Sequence, residues 1–212
     1  RALCAWQRRR CNPMMKYAPS TTLFDTTVAR AVVLGDDDRA ALQQFFERNP
    51  DYFWSVNGEA PTADEAHDEM HAPLPDGWPH TWQGSIGFID AHDELIGMAN
   101  VVTDLLASGV FHVGLFIVAT RLQGTGLGQV LHDGLVRWAI ANGTRWLRLG
   151  VVSGNARAER FWMKLGYVDL RMRNGIKMGT RVNDVRVMVK PLTSDTLDNY
   201  LALVPRDRLD HP

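Results

Sequence analysis

A nearly continuous apolar run from Val110 to Val118 predicts a buried strand. A loop with glycines at positions 124, 126 and 128 follows it, and an amphipathic helix begins directly after the loop. The apolar stripe of this helix consists of Leu127, Val130, Leu131, Leu135, Trp138 and Ala139, and Asn142–Gly143 marks its end. The pattern therefore predicts strand, glycine turn and helix in immediate succession.

A second unit of strand and helix follows downstream. The side-chain character alternates along 146–152 as in a short strand, and Asn155 is a typical helix N-cap. Apolar side chains then recur at i, i+3, i+4 and i+7, as Ala158, Phe161, Trp162 and Leu165. Gly166 suits the position just after the helix, Tyr167 begins another strand, and a final strand is expected at 184–190.

The first half of the chain predicts one strand, three helical segments and a hairpin. In chain order these are a strand at 28–34, a helix carrying Leu42, Phe45 and Phe46 that ends at Asn49–Pro50, helical segments at 52–56 and 62–71, and hairpin strands at 83–89 and 95–105. The intervening segment 72–80 contains three prolines and one glycine, which favours a loop.

The glycine turn has the physical features of a phosphate site. The first N–H groups of a helix lack intrahelical partners and lie at the positive end of its dipole. Glycines allow that backbone to approach an anion closely. A P-loop is excluded because Gly128 is followed by Gln129 and Val130 instead of Lys and Ser or Thr. A dinucleotide fingerprint is excluded because Gln129 occupies its third glycine position.

Two segments instead resemble motifs of the GNAT N-acetyltransferase superfamily. The segment 123–128, Gln-Gly-Thr-Gly-Leu-Gly, is similar to the acetyl-CoA pyrophosphate loop Q/R-x-x-G-x-G/A. The segment 155–167 resembles the pattern N-x-x-A-x-x-(F/L)-Y-x-K-x-G-(F/Y). The resemblance is specific over about residues 82–190. It implies a single α/β domain with a mixed, mostly antiparallel sheet, a splayed central pair of parallel strands at 110–118 and 146–152, and flanking helices.

The resemblance also implies acetyl-CoA as a co-substrate. Its pantetheine arm would enter between the parallel strands, and the loop amides would hold the pyrophosphate. The expected cofactor-binding residues are Ile117, Val118, Gln123, Gly124, Thr125, Gly126, Leu127, Gly128, Gln129, Asn155 and Phe161. The alternative role of Asn155 is that of a helix cap without cofactor contact, and the alternative role of Phe161 is that of a core residue.

The groups for proton transfer depart from the usual family pattern. Many members have a tyrosine, proposed to protonate the CoA thiolate, where this chain has Trp162, and an indole N–H cannot serve as a proton donor near pH 7. The run 110–118 contains no carboxylate, and its one titratable side chain is His112, which simple alternation places on the face of Phe116 and Val118. His112 is therefore the candidate general base, with a structural histidine as the alternative.

We expect no metal site. His67 and His71 have the i, i+4 spacing that suits zinc, but the H-E-x-x-H pattern is absent and no third ligand stands at a convincing spacing.

Composition bounds the organisation and location. At 212 residues and 45% apolar content the chain can build one sizeable core, and no apolar run reaches membrane-spanning length. We expect a flexible N-terminal extension at 1–22, an N-acetyltransferase domain at 23–192 and a tail at 193–212. Cys4 and Cys11 do not form a disulfide framework, which favours a cytoplasmic location. We expect neither a nucleic-acid nor a membrane partner; a homodimer is an open alternative.

The net charge of −1 conceals a division along the chain. Residues 49–120 contain eleven acids and no Lys or Arg, whereas residues 121–190 contain thirteen basic residues against four acids. In GNAT relatives the early helices and the following loop help to wall the acceptor site, so the resemblance implies that this acidic, aromatic-rich region would attract a cationic acceptor. The alternative is a solvated acidic surface remote from the site. The predicted function is acetyl transfer to a small-molecule or peptide amine, with a cationic amine favoured. The alternative is a non-catalytic acyl-CoA-binding or regulatory module.

Overall fold

The computed structural model describes residues 20–210, so most of the expected N-terminal extension lies outside the described residues. The strands are β1 (Thr22–Asp25), β2 (Arg30–Leu34), β3 (Trp82–Ile89), β4 (Leu95–Thr103), β5 (Val110–Val118), β6 (Trp146–Val152), β7 (Val168–Met178) and β8 (Arg181–Pro191). The helices are α1 (Arg39–Arg48), α2 (Asp51–Val56), α3 (Glu65–His71), α4 (Leu127–Ala141), α5 (Ala156–Lys164) and α6 (Leu197–Leu203). None of the helices in this part of the chain is long and apolar enough to cross a membrane.

The strands form one sheet in the order β1-β2-β3-β4-β5-β6-β8-β7. All neighbouring strands pair antiparallel except β5 and β6, which are parallel. The fold class expected from the sequence is thus confirmed: a single α/β domain with a mixed, mostly antiparallel sheet and flanking helices.

The parallel strands separate partway along their length. Their register runs from Val110 opposite Trp146 to Val113 opposite Leu149, and the pairing ends there. The remainder of β5, Gly114–Val118, continues to pair with β4 alone. An opening therefore forms between the carboxyl-terminal halves of β5 and β6.

A β-bulge coincides with the start of this opening. Val101 of β4 pairs with Val113, but its neighbour Asn100 pairs with Leu115, so Gly114 is the extra residue. The bulge reverses which side chains face which side of the sheet. Phe111 and Val113 pack in the cluster with α4, and Leu115 packs in the cluster with α1.

Helices cover both faces of the sheet. Helix α4 supplies Leu131, Leu135 and Trp138 to the main core, and α5 supplies Trp162 and Leu165. The opposite face is covered at one end by aromatic side chains of α1 and α2. At its other end, α6 packs Tyr200 against Trp146 of β6, with ring centroids 5.3 Å apart. The expected tail at 193–212 thus contributes to the core.

Candidate active site

A cleft of about 610 Å³ lies beside the end of β5, past the point where β5 and β6 part, and extends to the start of α4 and to α5. It contains nine of the eleven residues expected to bind the cofactor: Ile117, Val118, Gln123, Gly124, Gly126, Gly128, Gln129, Asn155 and Phe161. Thr125 and Leu127 belong to the same loop and helix start but are not among the residues that line the cleft. Motifs separated by about 30 residues in sequence, at 123–129 and 155–161, thus meet in one cleft.

Two residues of the glycine turn have the left-handed backbone conformation that favours glycine. Gly124 and Gly126 have φ angles of 83° and 91°, and Gly126 is the N-cap of α4. A Cβ at either position would meet no atom within 4 Å, so the space beside this backbone is open. The N–H groups of Gln129 and Val130 make the first main-chain bonds of α4, both to the Gly126 carbonyl. The amides that precede them lie at the positive end of the helix dipole.

Gln123 fastens the turn to the end of β5. Its Nε2 donates a hydrogen bond of 2.8 Å to the carbonyl oxygen of Val118. The side chain of Thr125 donates to the Leu122 carbonyl at 2.7 Å, which closes the turn internally. These contacts hold the glycine turn against the strand, and they occupy the Val118 carbonyl.

Helix α5 gives the cleft a basic wall. Arg157, Arg160 and Lys164 all line it, at the i, i+3 and i+7 spacing of one helix face. The sequence prediction did not include these residues, although their helical spacing was a usable signal. Asn155 accepts a hydrogen bond of 3.2 Å from the Ala158 N–H, so it is the N-cap of α5 as well as part of the cleft.

Aromatic side chains form the inner wall of the cleft. Phe161 stacks on Phe116 with ring centroids 6.1 Å apart, and Trp162 meets the same Phe116 ring edge-on at 5.7 Å. Trp162 is 8% exposed. Tyr167 is not a substitute acid for the family's tyrosine, because it does not line the cleft and its hydroxyl lies 3.0 Å from Nε2 of the buried His132. Burial raises the pKa of Tyr167 further above its usual range.

His112 lies outside the cleft. Because Gly114 is bulged, His112 is on the face opposite Phe116, so the alternation expected from the sequence is wrong here. Its Nδ1 lies 3.1 Å from the carbonyl oxygen and 3.3 Å from Nη1 of Arg148. Burial, together with the Arg148 guanidinium, lowers the pKa of His112 to about 3. Such an imidazole stays neutral at physiological pH and is a weak proton acceptor.

We expect His112→Ala to keep kcat/KM within about threefold and to leave the pH–rate profile unaltered, because His112 has no ionisation near neutral pH. The measurement is kcat/KM for one amine acceptor between about pH 5.5 and 9. A loss of about ten- to a thousandfold, together with the disappearance of an ionisation near pH 6–7, would instead establish His112 as the base.

A carboxylate that the sequence analysis did not single out lies on the side of the sheet covered by α3. Oε2 of Glu69 accepts a hydrogen bond of 2.6 Å from Nδ2 of Asn100, and Oδ1 of Asn100 accepts one of 2.7 Å from Ser85 Oγ. Burial raises the pKa of Glu69 to about 7, with the Glu65 charge adding to the increase and the Asn100 hydrogen bond opposing it. Glu69 therefore titrates near neutral pH.

Tyr52 lines the cleft and lies within electrostatic range of this carboxylate. Tyr52 of α2 lines the cleft together with Asp51 and Ser55. Burial raises the pKa of the Tyr52 hydroxyl, and the charges of Glu69 and Glu65 raise it further. The cleft thus has a basic wall on α5 and one acid, Asp51, on α2, and the charges of Glu65 and Glu69 act on Tyr52 beside it.

The two histidines with zinc-like spacing form a local contact. The rings of His67 and His71 lie 4.4 Å apart, and His71 also approaches Asp36 at 3.3 Å. Within residues 20–210, no group of three or more His, Cys, Asp or Glu side chains is arranged to hold a metal ion.

The sequence model of the acetyltransferase (GNAT) family matches residues 36–167, which span the glycine turn, α5 and Glu69. The chain therefore belongs to the GNAT acetyltransferase family. No curated protein matches the chain by sequence.

Solved structures of this family share the fold. An acetyltransferase from Thermus thermophilus is 20% identical, with a TM-score of 0.58, and the match covers 81% of this chain and all of that one. A spermidine N-acetyltransferase from Vibrio cholerae, solved with CoA and spermine, is 18% identical with a TM-score of 0.60, over 78% of this chain and 96% of that one. The ribosomal-protein-S18-alanine N-acetyltransferase from Escherichia coli is 15% identical with a TM-score of 0.56, and the match covers 79% of this chain and 96% of that one.

Proposed function

We propose that this enzyme transfers the acetyl group of acetyl-CoA directly to a primary amine within a ternary complex. The observation that carries the proposal is that one cleft at the end of β5 contains both the glycine start of α4 and the three cations of α5. A co-substrate with an apolar arm and several phosphates suits a cleft with an aromatic inner wall and a basic outer wall.

Each part of the cleft suits one part of acetyl-CoA. The amides of Gly124–Gly128 would hold the pyrophosphate, because they lie at the start of α4 and open space adjoins the backbone at 124 and 126, whereas the Gln129 N–H already donates to the Gly126 carbonyl. Arg157, Arg160 and Lys164 would neutralise the phosphates. The pantetheine arm would pass along Ile117 and Val118. Since Gln123 already occupies the Val118 carbonyl, the other main-chain groups of this segment would pair with the arm.

The acetyl transfer needs no covalent enzyme intermediate. A neutral amine attacks the thioester carbonyl, a tetrahedral intermediate forms, and the CoA thiolate leaves. A thiol pKa of about 8.5 makes the thiolate a tolerable leaving group, so Trp162 in place of tyrosine does not prevent the reaction. Trp162 would then serve as a packing surface for the cofactor.

We further propose that the acceptor is cationic, small or on a flexible chain. Asp51 and Tyr52 form one end of the cleft, and Glu65 and Glu69 lie close enough to Tyr52 to raise its pKa. Other acids of residues 49–120 are engaged elsewhere, since Asp93 pairs with Arg30 and Glu94 with Arg121. The acidic group beside the cleft is therefore smaller than the sequence suggested, but it is the part that an acceptor would meet.

We expect polyamines and aminoglycosides to exceed acidic amino acids by at least about tenfold in kcat/KM, because Coulomb attraction favours cations at this end. Raised salt should lower kcat/KM for the cationic acceptors. The measurement is CoA thiol release across the panel at low and high ionic strength. A preference for anionic acceptors, or no loss for cations at high salt, would contradict the cationic assignment and leave acetyl transfer itself intact.

A further inference from the structure

The segment of sheet beside the bulge carries a chain of polar contacts that ends in a carboxylate. Ser85 of β3 and Asn100 of β4 are directly opposite each other in the antiparallel register. Ser85 is 4% exposed and donates to Asn100, whose amide therefore presents Nδ2 to Glu69. The same Nδ2 lies 3.3 Å from the Glu69 carbonyl oxygen, which gives α3 a second attachment to β4. The position of the Glu69 carboxylate is thus fixed by the sheet.

Asn100, which holds this carboxylate, lies beside the point where β5 leaves β6. Asn100 pairs with Leu115, the residue directly after the bulge, where β5 has already left β6. A Cβ on Gly114 would lie 4.0 Å from Asn100 Cβ, so the bulge adjoins this polar chain. Tyr52, which lines the cleft, lies close enough to Glu69 for the Glu69 charge to raise the pKa of the Tyr52 hydroxyl. Glu69 itself does not line the cleft; it acts electrostatically on Tyr52, which does, and it is hydrogen-bonded to Asn100 beside the bulge.

We propose that Glu69 is the group that takes the proton from the amine acceptor, with Asn100 positioning its carboxylate. The assignment rests on the proposed acetyl transfer and identifies its general base. Neither of the other candidates fills the role, because Trp162 cannot accept a proton and burial, together with the adjacent Arg148 guanidinium, opposes protonation of the His112 imidazole.

The surroundings of Glu69 raise the pKa of its carboxyl toward neutral pH. Burial raises its pKa first, and the carboxylates of Glu65 and Asp68 on its own helix add to the effect. Tyr52 of α2, which stays protonated, interacts with it electrostatically, and β4 presents the neutral amide of Asn100 to it. The resulting pKa of about 7 leaves the carboxylate ionised at slightly alkaline pH and basic enough to accept an ammonium proton.

The proton balance of the step follows directly. An ammonium acceptor gives one proton to the Glu69 carboxylate, directly or through a water molecule, and becomes a neutral amine. The amine nitrogen forms a bond to the thioester carbon, and the carbon–sulfur bond breaks. The second nitrogen proton goes to the CoA thiolate, and Glu69 later releases its proton to solvent. The products are the amide, CoA thiol and one solvent proton.

The first test is Glu69→Gln, which keeps the shape and the Asn100 contact but cannot accept the proton. We expect kcat/KM for the best amine of the panel to fall by about 100- to 1,000-fold. The rise of kcat/KM through pH 7 should disappear, and acetyl-CoA affinity should stay within about twofold. Asp68→Asn is the matched control on the same helix: it should keep the plateau rate and move the rise to slightly lower pH, because Asp68 raises the pKa of Glu69.

A second readout needs no acceptor. Since the folded state disfavours the ionised carboxylate, the native protein should lose stability as pH rises from about 4.5 to about 7, and Glu69→Gln should not. The melting temperature of the variant should therefore exceed that of the native protein by several degrees at pH 8 and by much less at pH 5.

The two kinds of failure are distinguishable. A native enzyme with an active acceptor and a Glu69→Gln variant of unchanged rate and pH profile would overturn the assignment alone. An equal difference in melting temperature at both pH values would also overturn it. A native protein that binds acetyl-CoA but acetylates no amine would contradict the proposed function, and the assignment with it.

Discussion

Gly126→Asp is expected to weaken acetyl-CoA binding by at least about 100-fold, equivalent to about 2.7 kcal/mol. Gly126 caps α4 with a φ of 91° and open space beside it, so an aspartate there would project its charge into the region assigned to the pyrophosphate. The aspartate would also have to adopt the left-handed backbone conformation of Gly126, at a cost of about 1–2 kcal/mol in stability. Calorimetric titration with acetyl-CoA measures the loss, and circular dichroism checks the fold.

Gly143→Asp is the matched control for this variant. Gly143 lies just past the other end of α4, has a φ of 83° and also has no atom within 4 Å of an added Cβ. It therefore carries the same backbone penalty and the same new charge, but away from the cleft. Unchanged affinity in Gly143→Asp and lost affinity in Gly126→Asp would support the phosphate site. A folded Gly126→Asp protein with native affinity would refute it.

Asp207→Ala is expected to destabilise the protein by about 3–5 kcal/mol and to lower the melting temperature by roughly 6–20 °C. Asp207 is fully buried and accepts hydrogen bonds of 2.7 and 2.9 Å from Arg148 and one of 2.7 Å from Tyr200. Removing it leaves the Arg148 cation, 5% exposed, without its charge partner in the core. Thermal denaturation measures the effect.

This ion pair also has a defined pH dependence. Burial alone would raise the pKa of Asp207, but the hydrogen bonds and charge of Arg148 lower it below 3.8. Its contribution is therefore present above about pH 4 and is lost as the pH falls further. Asp195→Asn provides the comparison, because Asp195 pairs with the half-exposed Arg145 and its substitution should lower the melting temperature far less than Asp207→Ala does. A similarly small effect of Asp207→Ala would contradict the structural role of the pair.

The cofactor side of the site could be predicted from the sequence because its determinants are local. The turn at 123–128 and the capped helix from Asn155 each combine glycines or a cap with helical periodicity, and both lie in the cleft. The i, i+3 and i+7 spacing of Arg157, Arg160 and Lys164 on α5 is also visible in the sequence. The order of strands and helices from 82 to 190 gave the fold class, since the parallel pair follows from the strand–helix–strand connection.

The acceptor side could not be predicted in the same way, because it depends on contacts between distant segments. Glu69 acquires its environment from Asn100, which is 31 residues away, and from the neighbouring helix. The face of His112 depends on a bulge, for which the only sequence signal was Gly114 inside an apolar strand. The role of Asp207 depends on Arg148, 59 residues before it, so the tail looked polar and separate in the sequence.

Direct acetyl transfer is tested by the combined yield of CoA thiol and acetylated amine from acetyl-CoA and a panel of primary amines. We expect equimolar amounts of the two products, saturation in both substrates, and kinetics that require both to be bound before thiol is released. Binding of acetyl-CoA with no thiol release across a broad panel would contradict direct acetyl transfer and would favour a non-catalytic acyl-CoA-binding module.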